Sequence, residues 1–471
     1  MSEATGGRKA RPAASSGLSL WRLGLALFLC LLVIGPIPYG AFRDWIWPFL
    51  SLVLALSAVL MVLPGLRGQG RVPSFRPLVL PLILTMVAPL WIVVQGLPAP
   101  LSGWQAPLLD ITGDVLGVPA GQTVSRTPEA AMPAAILLLT YILAFGLAFW
   151  AGRDRANARL ILWAVLISAA LQSGWGIVNV ITGLEHLLWD EKETYLGVVT
   201  GTLVNRNHVA TLIGFGILAG LALLWRAFRS LNVSIEEEGR LGILLRLFER
   251  NLILLGLLTL CLMALPMTLS RGGILATGIA VVTLGLLIGF SKGGAAEVRR
   301  RYVIPGAILF SLVATALAGT AFLERVGQTT LTQVNRDEVY AMTLRAIADN
   351  PWLGFGAGSY PGVSEQYRPP NLEDPVRWNF AHNTYLEAAA EWGLPATFAY
   401  FGAVTLIWLA CLRGARFRMR DAELPSVAAA AGVLGGLHAL VDFSLQAPAV
   451  ALLFAALMGM GYAQARSSRE E

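Results

Sequence analysis

The chain has 471 residues, 56% of them hydrophobic and only 14% charged, with a net charge of +6 and a mean hydropathy of +0.64. A soluble domain carries about 25% charged residues, so this composition excludes an ordinary soluble enzyme and predicts a chain built mainly of membrane spans. The positive balance lies on one side of the topology set out below, which points to membrane lipids rather than nucleic acid as the polyanionic neighbour.

Apolar runs long enough to cross a bilayer fall at about 18–39, 44–64, 77–97, 131–150, 160–183, 207–225, 251–269, 273–290, 302–322, 386–410, 425–443 and 447–464. Hydrocarbon offers no partner for free backbone N–H and C=O groups, so these runs must be helices. The expectation is an all-α polytopic membrane protein with about twelve transmembrane helices. Cytoplasmic tails cover 1–17 and 466–471, helices one to nine cover 18–322, a large periplasmic loop covers 323–383, and helices ten to twelve cover 384–465. The first run is flanked by Arg8, Lys9 and Arg11 and passes Gly35 without a small-residue cleavage site. It therefore reads as an uncleaved span.

With the N-terminus inside, most of the 35 Lys and Arg residues fall inside, including Arg299-Arg300-Arg301 and Arg413, Arg416, Arg418 and Arg420. Most of the 29 Asp and Glu residues fall outside, as positive-inside orientation requires. Cys30, Cys261 and Cys411 are odd in number, lie within or at the ends of spans, and lack metal-ligand spacing. They read as small packing residues rather than a disulfide framework.

Between the spans, 226–250 carries Leu241, Ile243, Leu244, Leu247 and Phe248 among Arg240, Arg246 and Arg250, the pattern of an amphipathic helix on the inner surface. On the outer side, 98–130 is rich in Pro and Gly and holds Asp110 and Asp114. The next outer loop, 184–206, holds His186, Trp189, Asp190 and Lys192. The third outer segment, 323–383, opens with a predicted helix over Val339–Ala348 that Asn350-Pro351 ends. A turn, Gly354-Phe355-Gly356-Ala357-Gly358, follows, and the loop's aromatic residues argue for order.

Three short motifs fall at the outer face: Asn205-Arg206-Asn207-His208, Ser270-Arg271-Gly272-Gly273, and Ala381-His382-Asn383-Thr384-Tyr385. Arginine at a helix end, where positive charge is otherwise scarce, suits a phosphate clamp, because guanidinium binds phosphate oxygens bidentately and stays charged. A snorkelling interfacial arginine is the alternative. A neutral imidazole can take a proton from an attacking hydroxyl, which makes His382 a candidate general base; the alternative is a loop-to-helix hydrogen bond. Glu387 and Glu391 follow His382 on one helical stripe. His438 and Asp442, four residues apart, either orient a substrate or satisfy each other, with the structural role favoured. His208 and His186 rank below them. The sequence shows no metal site, Walker loop, nucleophile elbow or dinucleotide fingerprint, so no cofactor is expected.

These motifs, in this order and on one face, resemble the O-antigen ligase and O-antigen polymerase superfamily. So does the loop reading Arg336…Asn350-Pro351-Trp352-Leu353-Gly354-Phe355-Gly356 before His382-Asn383. The resemblance covers about 200–410. It implies an all-helical, metal-independent inner-membrane glycosyltransferase with a periplasmic active site. The implied donor is a glycan on a polyprenyl diphosphate, usually undecaprenyl, and the acceptor is lipid A-core or a growing polysaccharide. It further implies that Arg206 and Arg271 grip the diphosphate and that His382 activates the acceptor hydroxyl. Arg336, Asn383, His438 and Asp442 are candidates for further substrate-binding positions. Polymerase is the close alternative to ligase. A transporter or lipid-linked glycan flippase is the rival class, disfavoured because the polar residues collect at outer helix ends rather than at the midplane.

Overall fold

The computed structural model describes residues 16–68, 74–101, 103–104, 122–231, 245–291, 330–369 and 377–466, with the isolated positions 242, 305, 306 and 308. Most of the expected ninth span at 302–322, most of the amphipathic segment before Leu245, Asp110, Asp114 and the middle of the large loop lie outside them. Among the described residues the elements are helical. In chain order they are α1 (Ser16–Ile34), α2 (Ile46–Leu66), α3 (Val79–Gly96), α4 (Pro128–Ala151), α5 (Arg155–Thr182), α6 (Arg206–Ser230) and α7 (Leu252–Met267). There follow α8 (Arg271–Phe290), α9 (Thr330–Asp349), α10 (Tyr360–Gln366), α11 (Thr384–Phe417), α12 (Glu423–His438) and α13 (Pro448–Arg466).

Eight of these helices are long and apolar enough to cross a membrane, and α1 and α7 supply shorter apolar helices. The chain is an all-α polytopic membrane protein. Eleven of the expected spans coincide with a helix, α12 being short for one at 16 residues. The centre of the bundle is formed by α6 and α13, whose apolar windows are 83% and 89% buried, against 28% for α2 and 33% for the helix ending at Gly96. Around them α5 packs on α6 and α7, α4 packs on α13, and α12 packs on both α8 and α13. Small residues permit this closeness, as elsewhere in membrane bundles. Ala428–Ala431 of α12 are all fully buried, and a Cβ at Gly461 of α13 would fall on Ala428.

The two ends of the bundle are built differently. At one end, the Asp421 carboxylate gathers Arg155 (3.1 Å), Arg159 (3.0 Å) and Arg226 (3.6 Å), tying the start of α5 and the end of α6 to the α11–α12 connection. The opposite end collects the starts of α6, α8 and α11 and the large polar segment.

That polar segment is fixed on α11 by glycine geometry. The expected tenth span at 386–410 is not one straight helix: Gly393, at φ 76° and ψ 162°, breaks α11 into 384–392 and 394–417. Pro351 caps the break, accepting the Leu394 N–H at 2.7 Å. Gly354, Gly356 and Gly358 all adopt positive φ, which suits glycine because it lacks the Cβ that crowds this region. The N–H groups of Phe355 and Gly356 donate to the Ala390 and Glu391 carbonyls at 2.9 Å each. A Cβ at Gly354 would land on the Glu391 carbonyl. The helix expected over 339–348 is present and longer, as α9, and ends before Pro351.

Gly354→Ala therefore combines strain with a backbone clash, and is expected to cost about 1–3 kcal/mol. Melting of the detergent-purified variant should fall by several degrees. Gly362→Ala, with nothing within 4 Å of the added Cβ, should melt with the parent.

Candidate functional site

The site end is organised by the irregular connection between α12 and α13. Thr384 donates its backbone N–H to the Ala439 carbonyl at 2.9 Å and its hydroxyl to the Asp442 carbonyl at 3.1 Å. The Asn383 side-chain amide donates to Leu440 O at 2.9 Å, Tyr340 reaches the same carbonyl at 3.4 Å, and Arg336 donates to Val441 O at 3.4 Å. These donors satisfy carbonyls that the ended helix leaves without intrahelical partners. They also bring α9 and the start of α11 onto one short stretch of chain.

Asn207 ties in the other two helix starts. Its amide donates to Asp442 Oδ1 at 2.7 Å, while its Oδ1 accepts the Ser270 hydroxyl, also at 2.7 Å. Ser270 is the N-cap of α8 and Asn205 the N-cap of α6, each accepting a backbone N–H of its own first turn. Arg206 and Arg271 are thus each one residue from a member of a single hydrogen-bonded bridge. Asn383 caps α11 in the same way, accepting from Tyr385 and Leu386. Three capped helix N-termini at one end favour anions through their dipoles, and two of those helices open with arginine.

Neither arginine is buried in the core: Arg271 is exposed, and Arg206 is half-buried with its guanidinium 5.2 Å from the Tyr195 ring centroid. Tyr195 belongs to a loop held by the buried Lys192, which pairs with Glu185 at 3.1 Å and donates to Val198 O at 2.7 Å. Asp190 of this loop accepts from Tyr39 and Arg43 of the α1–α2 connection at 2.8 and 2.9 Å. The α1–α2 connection is thereby tied to the loop beside Arg206.

His382 sits just before α11 in a left-handed conformation, φ 51°, which for a side chain of this size stores roughly 1 kcal/mol or more. Its neighbours hold it there. Tyr340 donates to its carbonyl at 3.1 Å, and Glu387 Oε2 accepts the preceding Ala381 N–H at 2.6 Å. The imidazole meets Trp378 and Phe443 edge to face, with centroids at 5.5 and 5.1 Å. Burial, and then the Arg336 guanidinium, push its pKa below the usual 6.5, with Asp442 acting in the opposite direction. The ring is therefore neutral at pH 7 and able to accept a proton. Tyr340, its phenol pKa raised chiefly by burial, stays protonated as a donor.

The histidine–carboxylate pair expected at His438 and Asp442 does not pair internally. His438 Nδ1 bonds the Thr211 hydroxyl at 2.7 Å, and its ring lies where a Cβ at Gly272 would be 3.1 Å away. The second residue of the Arg-Gly-Gly start is glycine so that α8 can approach this ring. Asp442 instead holds Asn207 and Ser444. Glu391, on the expected stripe, accepts Tyr360 N–H at 3.0 Å and anchors α10 rather than facing His382. Two of the connections are long-range: Asn207 and Tyr340 are sequence-distant from what they bind, and of these only Asn207 was marked in advance, by the Asn-Arg-Asn-His motif.

Residues 255–401 match the family described as O-antigen ligase. The match supports a place in the O-antigen ligase superfamily for this region, which contains Arg271, Arg336, His382 and Asn383; Arg206, His438 and Asp442 lie outside it. No curated protein matches the chain.

The bridge itself is testable. Asn207→Ala and Ser270→Ala should be non-additive in thermal stability, with a coupling of about 0.5–3 kcal/mol in a double-mutant cycle. Additive losses would mean that the two helix starts are held separately.

Proposed function

We propose that the chain is a membrane glycosyltransferase of the O-antigen ligase type. In this reading it transfers a glycan from a polyprenyl (undecaprenyl) diphosphate donor to an acceptor hydroxyl at the periplasmic face of the inner membrane. One observation carries the proposal: Arg206 and Arg271, at two helix N-termini bridged through Asn207, share an end with a neutral, conformationally restrained His382. The superfamily match supports the same chemistry.

The reaction follows from these groups. The donor diphosphate lies against the two guanidinium groups and the helix dipoles. The acceptor oxygen attacks the anomeric carbon while His382 takes the hydroxyl proton. The C–O bond to the diphosphate breaks, and the diphosphate leaves with the bonding electron pair as the arginines stabilise its growing charge. A direct displacement of this kind inverts the anomeric configuration. Asn383 and Arg336 keep His382 in place, and His438 and Asp442 act from behind by fixing α6 and α8.

The experiment is glycan transfer by purified protein in detergent. The donor is a polyprenyl-diphosphate oligosaccharide, offered either with lipid A-core or alone. Product on lipid A-core is expected; a ladder from donor alone would make the enzyme a polymerase, and no transfer to either would sink the proposal. Arg206→Ala and Arg271→Ala should each reduce the rate about 10²–10³-fold, and His382→Ala about 10²–10⁴-fold.

The pH dependence has a definite sign. A base whose pKa is lowered works while deprotonated, so activity should hold at neutral pH and fall only below 6.5 as His382 becomes protonated. Arg336→Gln removes a lowering influence and should move that acidic limb upward; an unmoved limb would separate Arg336 from the base.

A further inference from the structure

The aromatic cluster around Phe443 is left unused by the proposed mechanism. Phe443 is buried, stacked face to face on Phe380 with centroids 4.2 Å apart, and touched edge-on by His382 at 5.1 Å and by His208 at 4.8 Å. Phe42, from the α1–α2 connection, stacks over His208 at 5.9 Å and meets Phe380 edge-on at 6.2 Å. Two histidines thus flank one phenyl ring, and each buries a nitrogen without a hydrogen-bond partner: Nε2 of His208 and Nδ1 of His382. His208 is only 5% exposed.

A buried polar atom left unpaired costs about 1–3 kcal/mol, so two at one place mark a site completed by a polar ligand. The cluster is aromatic and apolar around these two polar points, the composition of a small-molecule subsite rather than of a phosphate site. Phosphate charge is better met by the guanidinium of Arg206, two residues from His208 on the same helix start. A neutral ring bearing hydroxyls and C–H faces fits the cluster: its hydroxyls suit imidazole nitrogens and its apolar face suits an aromatic ring. Phe42, 40% exposed against 7% for Phe443, is the ring such a ligand would reach first.

We propose that this cluster is the subsite for the sugar joined directly to the donor diphosphate, with His208 Nε2 hydrogen-bonding one of its hydroxyls. The inference rests on the donor reading above and extends it: Arg206 would hold the phosphate, and His208 the sugar next to it.

The test measures detergent-phase binding of two probes, bare undecaprenyl diphosphate and an undecaprenyl-diphosphate oligosaccharide. The proteins are the parent chain, His208→Phe, His208→Gln and Arg206→Ala, each checked for unchanged melting. His208→Phe keeps a ring against Phe443 and Phe42 and removes the nitrogens. It should weaken the glycan-bearing lipid about three- to tenfold, the worth of one net hydrogen bond, and leave the bare lipid unaffected. His208→Gln, whose amide reaches about as far as Nε2, should retain most of the affinity. Arg206→Ala should weaken both lipids. The inference is overturned if His208→Phe binds the glycan-bearing lipid like the parent, or loses both lipids equally. If the parent binds neither lipid better than an ordinary phospholipid, the donor reading fails with it.

Discussion

Peptide groups that leave a helix in an apolar setting must find partners, and the stretch joining α12 to α13 meets that requirement in a way that arranges the whole site. The carbonyls of Ala439, Leu440, Val441 and Asp442 accept from Thr384, Asn383, Tyr340 and Arg336, residues of α9 and of the start of α11. The carboxylate of Asp442, 1% exposed, reaches to Asn207 and through it to Ser270. A neutral hydrogen bond contributes only about 0.5–1.5 kcal/mol net, but leaving a buried group unpaired costs more. This asymmetry makes the arrangement specific: any displacement of one helix start orphans groups on another.

The site accordingly combines a rigid base with adaptable upper walls. Beneath it, His438 bonds Thr211 and lies against Gly272, so α6, α8 and α12 approach closely. Above it, the wall beside Arg206 consists of loop residues and exposed aromatics such as Trp189, 68% exposed. Arginines placed on fixed helix starts but open to solvent can meet a charged ligand without the penalty of full burial. His382 shows the complementary treatment, a strained backbone held from both sides. Strain of this sort persists only where its surroundings over-determine it.

The large polar segment is bound to the membrane helices rather than suspended from them. The break at Gly393, the Pro351 carbonyl that caps it, and the positive-φ glycines at 354, 356 and 358 form one interlocked joint. Glu391 anchors α10 from below, and Gln95 of α3 donates to the Leu353 and Glu391 carbonyls at 2.6 and 2.9 Å. The same segment that carries His382 is therefore positioned by helices far from it in sequence.

Composition and the spacing of apolar runs determined the all-α membrane class and the place of most helices, because a bilayer admits few backbone solutions. The motifs also marked Arg206, Arg271 and His382, since arginine at a helix start and histidine beside a helix are unusual enough to notice. Periodicity placed residues at two points without revealing their partners. It put Glu387 and Glu391 on one helical stripe but gave no sign that one holds the Ala381 peptide and the other caps α10. It also set His438 and Asp442 one turn apart, although they bond α6 instead of each other, through Thr211 and Asn207. Only the tertiary structure decided these partners, because a buried polar group bonds whatever packing brings near, and sequence spacing carries no record of contacts between helices hundreds of residues apart. The break at Gly393 was hidden for the same reason: a glycine in an apolar run is silent until a carbonyl from another segment, here Pro351, takes the N–H that the helix releases.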